Sequence, residues 1–130
     1  ANAVIAYLKT LKVPPQRFPT TGQDATLTGL QNVLTGYQCG SVYKPIYLEA
    51  QAAAALAIYL RAGVEPSKDL VNGVTADTQA NNSVPSVLLT PIWVTPQNMA
   101  ATVVKDGFVK ASKLCTGAVK KACKSAGISH

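Results

Sequence analysis

The spacing of apolar residues predicts amphipathic helices in the first half of the chain. Apolar residues recur three and four positions apart over residues 4–11, and the prolines at 14 and 15 end that helix. The same spacing over residues 27–34 predicts a second helix, with Gly36 in place to close it. Each helix therefore has one apolar face to bury.

Three further helical segments are predicted downstream. A long helix covers residues 45–61, because proline fits a first helical turn and Gly63 can end the last one. Two shorter segments follow near the end of the chain, one that runs to Val104 from a cap at Thr95 or Asn98 and one after Gly117 that ends at Gly127.

Short apolar runs between these helices predict strands. The predicted strands are residues 17–25, residues 40–44, and residues 87–94 with an interruption at Pro91. Residues 64–84 are polar and contain Asn-Gly and Asn-Asn pairs, so we expect an irregular connection there.

The alternation of helix and strand predicts an α/β fold, a parallel sheet with flanking helices. In such sheets ligands bind beyond the carboxyl ends of the strands. Asp24 and Lys44 lie at the ends of the first two predicted strands. They are the first candidates for a binding site.

Composition and charge narrow the possible functions. The chain has 130 residues, 48% hydrophobic and 14% charged, which is enough for one core and argues against disorder. The formal net charge of the chain is +6, and six lysines lie near its end, at positions 105, 110, 113, 120, 121 and 124. Because arginine is absent after residue 94 and Phe108 is the one aromatic there, we expect a solvated face and no nucleic-acid partner.

The sequence offers no site for catalysis, a metal or a cofactor. His130, the single histidine, is the final residue, and no serine or cysteine has a plausible base partner. Phosphate-loop and dinucleotide fingerprints are absent. The most apolar stretch, residues 45–60, is too short for a membrane helix and contains Glu49. We therefore expect a protein that is not an enzyme and binds no cofactor.

Four segments together resemble the xylose-binding branch of the periplasmic sugar-binding proteins. They are Thr21–Ala25 (TGQDA), Ser41–Ile46 (SVYKPI), Leu88–Ile92 (LLTPI) and Lys105–Phe108 (KDGF) before lysine-rich sequence. They occur in the family's order and with compatible spacing. The specificity of the resemblance lies in the series of four segments.

The resemblance implies a type I fold of two α/β lobes that clamp a sugar between them. By this resemblance residues 1–43 and 90–130 belong to the second lobe, and residues 44–89 to the first. A full member of the family is more than twice as long, so the resemblance implies a C-terminal portion whose N-terminal part lies outside this sequence.

The same resemblance assigns sugar binding to Asp24 and Lys44. A carboxylate accepts from two sugar hydroxyls and an ammonium donates to sugar oxygens, so the chemistry agrees. The alternatives are that Asp24 caps the helix near Thr26 and that Lys44 is a surface lysine. The resemblance places Gln23, Tyr43 and Trp93 at the lobe junction and not among the sugar ligands.

The predicted function is the monosaccharide-binding component of an ABC sugar importer, in the periplasm or outside the cell. Its implied partners are a xylose-like sugar, the membrane permease and the missing N-terminal part. Two alternatives stay open: the effector-sensing domain of a lactose-repressor-type transcription regulator, which shares this fold, and a degenerate module that no longer binds sugar.

Cys115 and Cys123 are close in sequence, and in an oxidising compartment they predict a disulfide. Along one continuous helix they would be about 12 Å apart, beyond the reach of a disulfide. The bond therefore requires the chain to turn back, and Gly117 is the expected break. The alternative is two unlinked thiols. Cys39 is expected to be unpaired, buried, or paired to a cysteine upstream.

Overall fold

A computed structural model describes residues 1–129 of the chain, and His130 lies outside them. The described residues divide into two compact units. The first comprises Ala1–Tyr43 and the residues from Ile92 onward, and the second comprises Lys44–Pro91. Each unit is described separately below.

The first unit contains four α-helices, two other helical turns and three strands within the described residues. These are α1 (Asn2–Thr10), β1 (Thr21–Gln23), α2 (Leu27–Leu34), β2 (Gly40–Tyr43), β5 (Ile92–Val94), a π-helical turn (Ala100–Val104), α4 (Ala111–Leu114), a 3₁₀ turn (Gly117–Val119) and α5 (Lys120–Ser125). The second unit contains α3 (Ile46–Ala62), β3 (Gly73–Asp77) and β4 (Asn82–Ser86).

The helices of the first half form where the apolar spacing predicts them, and local signals explain their ends. The Thr26 hydroxyl accepts from the Gly29 N–H at 3.2 Å and caps the start of α2. Gly36 follows the end of α2 with a φ of 78°, and Gly63 ends α3 with a φ of 66°. Both glycines adopt the left-handed conformation that commonly ends a helix.

The sheet of the first unit is mixed, so the expectation of an entirely parallel sheet is wrong. β1 pairs parallel to β2, but β5 pairs antiparallel to β2. The reason lies in the path of the chain. It leaves the sheet after Tyr43 and re-enters at Ile92, which is the residue paired with Tyr43. A strand that enters where its neighbour left must run in the opposite direction. The mixed α/β class is nevertheless confirmed.

The polar connection of the second unit contains a β-hairpin that the sequence pattern did not predict. β3 and β4 pair antiparallel over five residue pairs. The Asp77 carboxylate accepts from the N–H groups of Gln79 and Ala80 in the turn, and Asn81 has a φ of 49°. Most residues of the hairpin are exposed, so neither strand shows the alternation that marks a half-buried strand. The strand predicted at residues 87–89 is absent.

The hydrophobic core belongs to the first unit. α2, β2, β5 and the helical segments near the end of the chain pack together there. The fully buried side chains include Leu30, Val33, Tyr43, Val94, Met99, Val103, Leu114, Cys115 and Cys123. This core brings the last third of the chain onto the elements of the first third.

The second unit leaves much apolar surface exposed. None of the residues of α3, all of which are described, is buried. Ile58 and Leu60 are 69% and 72% exposed, and on the hairpin Val74 is 62% exposed. Within residues 1–129, no helix has both the length and the hydropathy required to cross a membrane.

Candidate functional site

Asp24 directly follows β1 and begins a tight turn into α2. Asp24 has a φ of 74° and Ala25 a φ of 45°. Two consecutive non-glycine residues with positive φ are uncommon, and aspartate tolerates this region better than most residues. The Asp24 side chain is exposed at this carboxyl end of the strand.

The turn is held by the burial of Ala25 and by its hydrogen bond to β2. Ala25 is completely buried, and its N–H donates to the Ser41 hydroxyl oxygen at 3.1 Å. Ser41 lies in β2 and is itself 1% exposed. Because Thr26 caps α2, the alternative in which Asp24 is the helix cap is wrong.

Lys44 directly follows β2 and is the first residue of the second unit. Its side chain is exposed. Pro45 comes next and is the N-cap residue of α3. Thus Asp24 and Lys44 each come directly after a strand, and the two strands are parallel neighbours in the first unit.

Gln23 and Trp93 lie in one row across the sheet of the first unit. Gln23 is paired with Val42, and Val42 is paired with Trp93. Paired residues of neighbouring strands share a face, so these two side chains lie on the same face. The Trp93 ring covers Gly40, where an added Cβ would overlap the ring atoms.

Tyr43 is a core residue at the end of β2. It is 1% exposed, its hydroxyl donates to an Asp106 carboxylate oxygen at 3.2 Å, and its ring centroid lies 4.9 Å from that of Phe108. Reasoning from the residues did not predict this cluster. A signal existed, because Asp106 and Phe108 belong to one of the segments that carry the family resemblance. Ser41 also belongs to such a segment, but no sequence pattern indicated that its hydroxyl would be buried.

Cys115 and Cys123 form a disulfide with Cα atoms 5.8 Å apart. The chain turns back between them at Gly117, which has a φ of 51°. Cys39 is unpaired and exposed among the described residues, so the expectation that it is buried is wrong. Pairing with a cysteine upstream stays a prediction.

Within residues 1–129, no cluster of three or more His, Cys, Asp or Glu side chains is placed to hold a metal ion. The exposed side chains of Asp24 and Lys44, each directly after a strand, are polar groups suited to hydrogen bonding.

Known proteins share much of this sequence. The chain is 47% identical over 97 residues to the D-xylose-binding periplasmic protein of Escherichia coli, an alignment that covers 72% of this chain and 27% of the relative. It is 39% identical over 90 residues to the D-xylose-binding periplasmic protein of Haemophilus influenzae, with 68% and 25% covered. It is 30% identical over 104 residues to the multiple sugar-binding periplasmic receptor ChvE of Rhizobium radiobacter, with 76% and 27% covered.

The chain spans about a quarter of the length of these relatives. No family model matches it. Identity of 47% and 39% over roughly seven tenths of the chain is nevertheless far above chance similarity. The resemblance to the xylose-binding branch of the periplasmic sugar-binding proteins is therefore confirmed over part of the length of such a protein.

Proposed function

We propose that this chain contributes to monosaccharide binding in a periplasmic solute-binding protein that serves an ABC sugar importer. The observation that carries the proposal is the 47% identity to a D-xylose-binding periplasmic protein. The proposed ligand is a xylose-like monosaccharide, and the proposed partner is the importer's membrane permease.

The division of the chain supports an origin in a two-lobed protein. The first unit would be part of one lobe and the second unit part of the other. The chain passes from one unit to the other after Tyr43 and returns before Ile92. The lobe boundaries that the resemblance implies, after residue 43 and after residue 89, lie at or within two residues of these points. The exposed apolar surface of α3 agrees with a unit that needs further chain to complete its lobe.

Asp24 and Lys44 are the proposed sugar-binding residues. The Asp24 carboxylate would accept from two neighbouring hydroxyls, and the Lys44 ammonium would donate to hydroxyl or ring oxygens. The buried Ala25 and its bond to Ser41 restrain the turn that carries Asp24. A restrained carboxylate loses less side-chain and backbone freedom when a ligand binds.

The alternative functions receive less support. All three relatives are named as periplasmic proteins, two as binding proteins and one as a receptor. These names favour a periplasmic binding protein over an enzyme or an intracellular transcription regulator. The degenerate module that no longer binds sugar is separated from the proposal by the binding experiment below.

The experiment measures sugar affinity in the longer protein that the proposal requires. Calorimetry with xylose, arabinose, ribose and glucose identifies the ligand. Asp24→Asn and Lys44→Ala are each expected to weaken binding of that sugar about 10- to 150-fold, the value of one charged hydrogen bond of about 1.5–3 kcal/mol. Asparagine is chosen because it also tolerates the φ of 74° at this position.

Asp69→Asn and Lys68→Ala are the matched controls. Both residues are exposed in the second unit, and the two substitutions remove the same charges as those at Asp24 and Lys44. They are expected to leave affinity unchanged. Wild-type affinity in both the Asp24 and Lys44 variants would refute the site assignment. Failure of the longer protein to bind any monosaccharide would refute the proposed function.

A further inference from the structure

The side chain of Gln38 is buried beside β1. It lies between α2 and β2 and is 3% exposed. Its amide nitrogen donates to the Gly40 carbonyl at 2.9 Å, which orients the amide. A Cβ added to Gly22 would overlap that nitrogen, so a glycine in β1 makes the space that the amide occupies.

The amide oxygen of Gln38 requires a hydrogen-bond donor. Among the described residues, Gln38 Oε1 is a buried oxygen with no hydrogen-bond partner from the protein. Buried polar atoms are paired with protein groups or with ordered water in nearly all native structures. An amide oxygen accepts and does not donate, so the missing partner must donate a hydrogen bond.

A small polar cavity of about 80 Å³ adjoins this amide. Its lining includes Gln38, Ser41, Thr26 and the two glycines Gly22 and Gly29. Ser41 is 1% exposed, and its oxygen already accepts from the Ala25 N–H. Its hydroxyl hydrogen is therefore directed away from Ala25 and can donate to a second group.

We propose that this cavity is the binding site of an ordered water molecule that donates to Gln38 Oε1 and accepts from the Ser41 hydroxyl. Water fits both requirements, since it donates and accepts at once. The side chains that line the cavity carry no charge, which disfavours a metal cation as the occupant. The volume exceeds what one water requires, and two polar partners are enough to order it.

The water would link three segments of the first unit. Gln38 precedes β2, Ser41 lies within it, and the Ser41 oxygen holds the turn after β1. By accepting the hydroxyl hydrogen, the water keeps a lone pair of Ser41 directed at the Ala25 N–H. The inference concerns the fold of this unit and does not rest on sugar binding.

A crystal structure of the chain that resolves ordered water tests the proposal. The expected result is a peak at about 2.6–3.2 Å from both Gln38 Oε1 and Ser41 Oγ. In Gln38→Met that peak should disappear, whereas Gln79→Met, a change of the same type at an exposed position, should retain it.

Three results would overturn the proposal. One is a wild-type structure without the peak, and a second is a rotated amide in which a protein group donates to Oε1. The third is a peak that persists unchanged in Gln38→Met, since Gln38 would then not bind the occupant.

Discussion

At the scale of single residues, the turn after β1 depends on a few buried contacts. Asp24 and Ala25 both have positive φ, a conformation that costs free energy in residues with a Cβ. The complete burial of Ala25 and its hydrogen bond to Ser41 offset this cost. The exposed carboxylate of Asp24 is thus carried by a segment whose geometry is set by its neighbours.

Ser41→Ala tests this dependence. The substitution leaves the buried Ala25 N–H without its acceptor, so we expect the free energy of unfolding to fall by about 1–3 kcal/mol. Urea denaturation of this chain measures the change. Ser112→Ala, at an exposed position of α4, is the control and should stay within about 0.5 kcal/mol of wild type. A loss in Ser41→Ala no larger than in this control would show that the bond to Ser41 does not hold the turn.

At the scale of elements, the junction between β2 and β5 is unusually close. Trp93 in β5 covers Gly40 at the start of β2. A Cβ on Gly40 would also lie 2.8 Å from the Val94 carbonyl oxygen, a backbone atom that cannot move aside. The side chain of Asn98 accepts from the Thr95 N–H and donates to the Trp93 carbonyl, both at 2.8 Å, and holds the end of β5. The pairing of these strands therefore requires glycine at position 40.

Gly40→Ala is expected to destabilise the first unit by about 1–3 kcal/mol, the usual cost of an inserted methyl group in a packed site. Adding Trp93→Ala should recover part of this loss, because the ring overlap disappears while the contact with the Val94 oxygen stays. Thermal denaturation of the two variants and of Trp93→Ala alone gives the coupling. Equal stability of Gly40→Ala and wild type would contradict the close packing.

At the scale of the whole molecule, the two units differ in how much they bury. The first unit encloses the core and the disulfide, whereas α3 in the second unit has no buried residue. The disulfide joins residues eight positions apart and closes the end of the chain onto that core. Cys115 and Cys123 are each 1% exposed, so their sulfur atoms are part of the packing as well as a covalent link.

The Cys115–Cys123 disulfide should contribute about 2.5 kcal/mol to stability, because the cross-link restricts the conformations of the unfolded chain. Reduction is expected to lower the free energy of unfolding by about that amount. Trypsin cleaves after Lys120 and Lys121, between the two cysteines, so mass spectrometry of an unreduced digest should find the flanking peptides linked.

The exposed Cys39 is the internal control for this experiment, because its thiol should be alkylated in the native protein. Free thiols at both Cys115 and Cys123 would contradict the bond. They would also remove the strongest internal sign of secretion and favour the intracellular regulator.

Elements with strong local signals were predicted best. α1, α2 and α3 follow from apolar spacing, proline and glycine, because these signals act within one or two turns of helix. The hairpin of β3 and β4 was missed because its strands are largely exposed and lack alternation. The direction of β5 was missed because it depends on where the chain returns to the sheet.

The sequence by itself determined the alternation of helices and strands, the position of Asp24 and Lys44 after successive strands, and the resemblance to sugar-binding proteins. These are properties of local order along the chain. Tertiary structure alone decided that β5 runs antiparallel to β2, that Thr26 and not Asp24 caps α2, and that Tyr43 contacts Asp106. The physical reason is that these features depend on contacts between residues distant in sequence, or on which of several adjacent polar side chains points at the backbone. Hydrophobic spacing and residue type do not encode either choice.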